Sequence, residues 1–172
     1  AFEVLADEQL LSVHEAQQLL AQLRVHVRAD EQWLMDLYAS RLLPHAALSD
    51  PSGAGAPAGA SALRHERLER ALPGNADVAV ARGTALFNRC RVRRAYEISA
   101  QVLREDPFDN GAAMMLHLAC MTALQLRNEL FLCAHKLVEA EPRAALSWYA
   151  VACYYLACEQ HEYARHFFTK AS

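Results

Sequence analysis

Glycine and proline are scarce in this 172-residue chain, at 6 each, and they gather outside the apolar stretches. A strand-rich fold uses such residues at its frequent turns, so their scarcity points to helices. Neither sign of charge dominates. The formal net charge is -3 and the pI about 6.2, which gives no bulk attraction to nucleic acid or to an anionic membrane. No apolar run is long enough for a membrane helix: the longest, Leu146 to Cys158, has 13 residues and includes Ser147, whereas a span takes about 20. No CxxC occurs among Cys90, Cys120, Cys133, Cys153 and Cys158. An odd number of cysteines, most of them inside apolar helical stretches, reads as reduced core thiols of an intracellular protein. Signal-peptide features are missing, and so are the GxGxxG and GxxxxGK patterns that cradle phosphates. An initiating Met is also missing, and helix-like sequence starts at Ala1-Phe2-Glu3-Val4-Leu5. The chain is therefore expected to be an internal fragment of a longer protein.

Hydrophobic residues make up 53% of the chain, enough for a continuous core. Residues 1–43 read as a degenerate helical repeat region. Leu10, Leu11, Val13, Leu19, Leu20 and Leu23 recur at helical spacing. Trp33, Leu34, Leu37, Tyr38, Leu42 and Leu43 form a second stripe, with Asp30 as N-cap and Pro44 as stop. Residues 44–75 read as a linker: Pro, Gly, Ser and Ala dominate 44–62, a flexible loop by composition, and a charged segment, Arg64 to Arg70, follows. That segment reads as a solvated helical turn; the alternative, a basic binding site, has little support because acidic residues interleave.

From Ala76 to the end the chain is helical with one internal period. The last segment has Trp148-x2-Val151-Ala152-x2-Tyr155, then Ala164-x3-Phe168, with Ala171 at the next small position. This is the signature of the tetratricopeptide repeat, a helix–turn–helix unit of about 34 residues. Pro142 and Pro107 close the two preceding repeats and stand 35 residues apart (142 − 107). Three repeats result: 76–109, 111–144 and an incomplete 145–172. Antiparallel helices approach closely only where side chains are small. Gly83 and Ala95 mark the crossing in the first repeat, and Ala152 and Ala164 in the third. The middle repeat carries Leu118 and Leu130 at those sites and is degenerate. Trp148, Tyr155 and Phe168 are expected to fill the space between a pair and its neighbours. The fold class is thus all-α, an α-solenoid of tetratricopeptide repeats and part of a longer superhelix.

Chemistry finds little support. Cys158, His161 and His166 lie near one another, but zinc needs four convergent ligands and no fourth is spaced to match. Cys133 and His135, two apart on a helix, point away from each other. No catalytic residue, metal or cofactor is assigned. Met114, Met115 and Met121 read as helix core or as an adaptable contact surface. In such a superhelix the first helix of each pair lines the concave face. By register the groove residues are Val80, Thr84, Phe87 and Asn88, then Met115, Ala119 and Thr122, then Tyr149, Cys153 and Leu156. This face suits an extended peptide or a helix. It lacks the Lys and Arg cluster that a C-terminal carboxylate would require. The alternative is that these residues pack against a neighbouring repeat or capping helix.

One family shares more than the period. Asp106-Pro107-Phe108-Asp109, Asn128-Glu129-Leu130-Phe131, His135-Lys136-Leu137-Val138, Ser147 to Val151, Cys153 to Leu156 and Ala164-Arg165 resemble the tetratricopeptide subunits of the anaphase-promoting complex of the cell division cycle protein sixteen type. The resemblance is strongest over 96–172 and weaker in Phe2 to Leu5 and Glu31 to Leu34. Ala152 stands where that family usually has Gly, a tolerable change at a small site. The resemblance implies a non-catalytic scaffold of a multi-subunit E3 ubiquitin ligase acting in mitosis, in nucleus and cytoplasm. It also implies other ligase subunits as partners, including a small one of the cell division cycle protein twenty-six type, and homodimerisation through repeats outside this sequence. The competing reading is a generic tetratricopeptide adaptor, a co-chaperone or trafficking protein that binds a peptide or helix.

Overall fold

The structure, a computed structural model, describes residues 12–28, 31–42, 58–105 and 110–171. Among the described residues every regular element is a helix. In chain order these are α1 (Val13–His26), α2 (Gln32–Leu42), α3 (Ala58–Ala71), α4 (Ala76–Asn88), α5 (Val92–Glu105), α6 (Gly111–Ala123), α7 (Arg127–Ala140), α8 (Ala145–Ala157) and α9 (His161–Ala171). They fall into two compact units, Ala1–Asn88 and Arg89–Ser172. The expected cap at Asp30 and the proline stops at Pro44 and Pro107 lie outside the described residues.

In the first unit, α1 starts at a capping box. The Glu15 amide donates to Ser12 Oγ at 3.3 Å, and the Ser12 amide donates to Glu15 Oε2 at 2.8 Å. Two first-turn donors are thereby satisfied, and these hydrogen bonds with Ser12 hold the Glu15 carboxyl below the usual range. Helix α3 corrects the linker expected over 44–75, since residues 58–71 are helical. Alanine, at Ala58, Ala60 and Ala62, is the best helix former, and Leu68 is fully buried in the packing of α3 on α2 and α4. Leu68 and His65 are both buried on this helix, in a segment whose composition reads partly as loop. Residues 43–57 lie outside the described residues. Gly74, at φ 74°, turns the chain after α3, and Asn75 caps α4 by accepting the Val78 amide at 3.1 Å. The core of this unit gathers Ala16, Met35, Leu68, Val78 and Gly83.

In the second unit α5 packs on α6, α6 on α7 and α8, α7 on α8, and α8 on α9. Helix α5 buries one stripe, Ala95, Ser99 and Val102, as a helix with one covered side should. Helices α6 and α8 have neighbours on several sides and bury residues almost all round: Ala113, Met114, Leu116, Leu118, Cys120 and Met121 in α6, and Ser147, Ala150, Ala152, Cys153 and Ala157 in α8. The crossing sites read from the sequence are all interior. Ala95, Leu118, Leu130 and Ala152 are 0% exposed and Ala164 2%. Helices α8 and α9, with alanine at both sites, pack the most extensively of the described pairs. Helices α6 and α7, with leucine at both, pack less extensively, and α7 leans instead on α8.

Three of the turns between consecutive helices share one backbone device. Cys90 (φ 58°), Gln125 (φ 58°) and Glu159 (φ 61°) are all left-handed. After α6 and α8 the hydrogen bonds match: Leu126 N–H to Met121 O and Gln160 N–H to Tyr155 O, both 3.0 Å, with Gln125 N–H to Thr122 O at 3.1 Å and Glu159 N–H to Leu156 O at 3.0 Å. This is a Schellman-type ending, where glycine is the usual residue. A side chain in the left-handed region costs about 1–2 kcal/mol. Glycine removes that cost but gives entropy to the unfolded chain. Glu159→Gly is therefore expected to stabilise the chain by about 0.5–1 kcal/mol, read as a higher denaturant midpoint at unchanged slope.

Between repeats, the chain leaves α7 through Glu141, Pro142 and Arg143, where the sequence placed the stop. Ser147, fully buried on α8, donates through Oγ to Glu141 O at 2.7 Å and Leu137 O at 3.0 Å. It ties the end of α7 to the start of α8. Both carbonyls also accept a backbone amide, from Ala144 and Glu141 respectively, so losing the hydroxyl orphans neither. Ser147→Ala is expected to cost about 1 kcal/mol, measured by equilibrium denaturation.

Candidate protein-binding groove

The groove residues read from the register divide by burial. In the first unit Val80 is 9% exposed and belongs to the core. Thr84, Phe87 and Asn88 are half-buried, and Thr84 Oγ1 donates back to Val80 O at 3.0 Å. In the second unit Met115 and Leu156 are exposed, at 50% and 38%. Ala119, Thr122 and Tyr149 are half-buried. Thr122 Oγ1 is turned back to Leu118 O at 2.8 Å, and Tyr149 lies edge-on to Phe168 at 5.5 Å between ring centres. Cys153 is 3% exposed and part of the core cluster with Leu118, Met121, Leu130 and Leu137. Val80 and Cys153 are therefore corrected from groove to core. The register places them at the inner edge of the stripe, and Cys153 there meets Leu118 and Met121 of α6.

The methionines split in the same way: Met114 and Met121 are core, and Met115 is surface. Burial pushes the Cys120 thiol up to about 11, and desolvation also raises Cys133 and Cys153. These thiols are poor nucleophiles at neutral pH. Cys90 departs from the core reading, being exposed. Of the aromatic residues of the signature, Phe168 packs against the core cluster as expected, and the other two sit differently. Trp148 and Tyr155 stack on the two faces of Phe167, at 5.9 and 5.3 Å. Lys170 Nζ lies 3.1 Å from the centre of the Trp148 ring, and Trp148 Nε1 donates to Pro142 O at 3.0 Å. Trp148 is only half-buried, so it clamps α8 to α9 at their edge rather than filling the interior.

Sequence reasoning missed a second apolar depression, on the α7–α8 side. Phe131, Ala134, His135, Val138, Val151 and Tyr154 help to line a space of about 400 Å³. Phe131 is 49% exposed and the adjacent Leu132 58%. The available signal was the run Leu130-Phe131-Leu132, which is wider than the stripe one packed face needs. No group of three or more metal-ligating side chains occurs among the described residues. No helix among them is long and apolar enough to cross a membrane.

A polar network joins α5, α6 and α7. Tyr96 OH donates to Glu129 Oε2 at 2.6 Å. His117 stacks on the Tyr96 ring at 4.8 Å, and its Nδ1 lies 2.9 Å from Ser99 Oγ. The carboxylate partner raises Tyr96 to about 12. Desolvation lowers His117 below its ordinary 6.5, against the opposing pull of Glu129. The unfolded chain therefore takes up a proton at His117 before the folded chain does. Stability should fall as pH drops below the ordinary histidine value of about 6.5 and level off below the lowered one. His117→Gln should remove that part of the pH dependence, as read by denaturant midpoints between neutral pH and about pH 5.

No protein-family model matches the chain. Curated proteins do. The chain is 29% identical over 175 residues to the human cell division cycle protein 16 homolog, a match that covers 100% of this chain and 26% of that protein. It is 28% identical over 181 residues to anaphase-promoting complex subunit 6 of Arabidopsis thaliana, covering 100% of this chain and 32% of that protein. Among solved structures it superimposes on the Cut9–Hcn1 hetero-tetramer of the anaphase-promoting complex, with a TM-score of 0.79 and 25% identity, over 99% of this chain and 32% of that one. The resemblance read in 96–172 thus extends over the whole chain, and the α-solenoid class is that of the superimposed structure. The chain spans about a quarter to a third of the length of these relatives.

Proposed function

We propose that this chain is part of a non-catalytic scaffold subunit of an anaphase-promoting-complex-type E3 ubiquitin ligase. In this reading it supports assembly, and through assembly the cell-cycle-dependent ubiquitination of proteins in nucleus and cytoplasm. The observation that supports it most is similarity to such subunits along the full length of the chain. It is joined by a core in which every crossing site of the repeat register is buried. The partners in this reading are the other ligase subunits. One is a small subunit of the type that accompanies Cut9 as Hcn1 in the superimposed structure. Homodimerisation would use repeats outside this sequence. The exposed side chains at Met115 and Leu156 and the half-buried Ala119, Thr122 and Tyr149 would offer partners shape and apolar area.

Reconstitution of the ligase from purified subunits, with and without the full-length protein, tests the proposal. The full-length protein alone should transfer no ubiquitin, and leaving it out should yield a smaller particle with reduced ubiquitination. An undiminished particle without it would overturn the scaffold role. Tight binding of a chaperone C-terminal peptide in calorimetry would favour the adaptor reading instead.

A further inference from the structure

In the sequence, Arg64 to Arg70 alternates basic with acidic residues. On α3 the alternation resolves. Arg64, Arg67 and Arg70 are three apart and share one side of the helix, and all three line a cleft of about 670 Å³ between α1, α2 and α3. Asp36, 8% exposed, is the anchor on α2. Arg67 donates from Nη2 to Asp36 Oδ1 at 3.3 Å and places Nε 3.2 Å from Oδ2. Arg64 Nε stands 4.0 Å from the same carboxylate, so one buried carboxylate serves two guanidiniums. Arg70 pairs with Glu66 at 2.5 Å. On the α1 wall Arg24 lines the cleft and has no ion pair among the described residues. Among the described lining residues four arginines thus stand beside two carboxylates, and the excess positive charge converges on a concave space where low-dielectric walls strengthen its field. The lining also has an apolar side, with Leu63 60% exposed and Leu20 half-buried.

We propose that this cleft docks an acidic amphipathic segment of a partner protein. The segment sets an aliphatic side chain against Leu20 and Leu63 and places carboxylates on Arg24 and Arg64. Planar guanidiniums match carboxylates with two parallel hydrogen bonds. The apolar lining and the chain's net charge of -3 favour a peptide over nucleic acid, whose many phosphates call for a long basic face. The proposal does not rest on the ligase reading.

The test uses the full 172-residue chain and a fluorescein-labelled helical peptide with Glu and Leu at i, i+4 spacing, beside a counterpart with Gln for every Glu. Anisotropy should show saturable binding of the Glu peptide that weakens as salt rises. Arg24→Glu should weaken it about tenfold or more with little movement of the thermal transition, since Arg24 is exposed and holds no ion pair among the described residues. Arg93→Glu, the same charge change at an exposed site in the other unit, should leave binding unchanged. Equal binding of the Gln peptide, equal effects of the two variants, no saturable binding, or tighter binding of a single-stranded RNA would each overturn the proposal.

Discussion

Leu130→Ala is expected to destabilise the chain by about 2–5 kcal/mol. Leu130 is 0% exposed and sits in the cluster with Met114, Leu118, Met121, Leu137 and Cys153. It occupies the site where the third repeat has alanine, so a comparison of sequence alone would call the change a restoration of consensus. The structure gives the opposite sign. Helix α7, with leucine at both of its crossing sites with α6, packs less extensively on α6 than on α8. Removing one leucine leaves a hole that α7 cannot close without leaving α8. Urea denaturation measures the effect. A variant as stable as the parent would show that α7 can shift inward.

Ala164→Leu is the reciprocal change and is expected to cost about 1–3 kcal/mol. Ala164 is 2% exposed and faces α8 at the most extensively packed of the described helix pairs. The added branch has no space unless α9 moves outward, and that movement would pull Phe167 out of its stack with Trp148 and Tyr155. A drop in denaturant midpoint with a change in tryptophan emission is the expected signature. The two predictions together would make leucine needed at one crossing and excluded at the next.

Much of the second unit is legible in the sequence. Small residues twelve positions apart, the Pro142 stop and the aromatic signature carry the register, and burial follows that register at Ala95, Leu118, Leu130, Ala152 and Ala164. Three features are harder to read, each for a physical reason. Helix α3 hides in a Gly- and Ala-rich stretch because it buries Leu68 and His65 rather than a long apolar stripe. The left-handed turns hide because Cys90, Gln125 and Glu159 occupy positions where glycine would have signalled them. The boundary between groove and core depends on how deeply one helix seats on the next. A register can therefore name Met115 and Leu156 as surface and still misplace Val80 and Cys153. The arginine cleft was obscured by a linear reading of charge, which cannot separate the faces of a helix not yet assigned.

Affinity purification of the tagged full-length protein from its own cells, with identification of what accompanies it, tests the central claim most directly. The account predicts recovery of cullin-like, RING and other tetratricopeptide subunits together. Recovery of chaperones or transport factors alone would contradict it and leave only the fold standing.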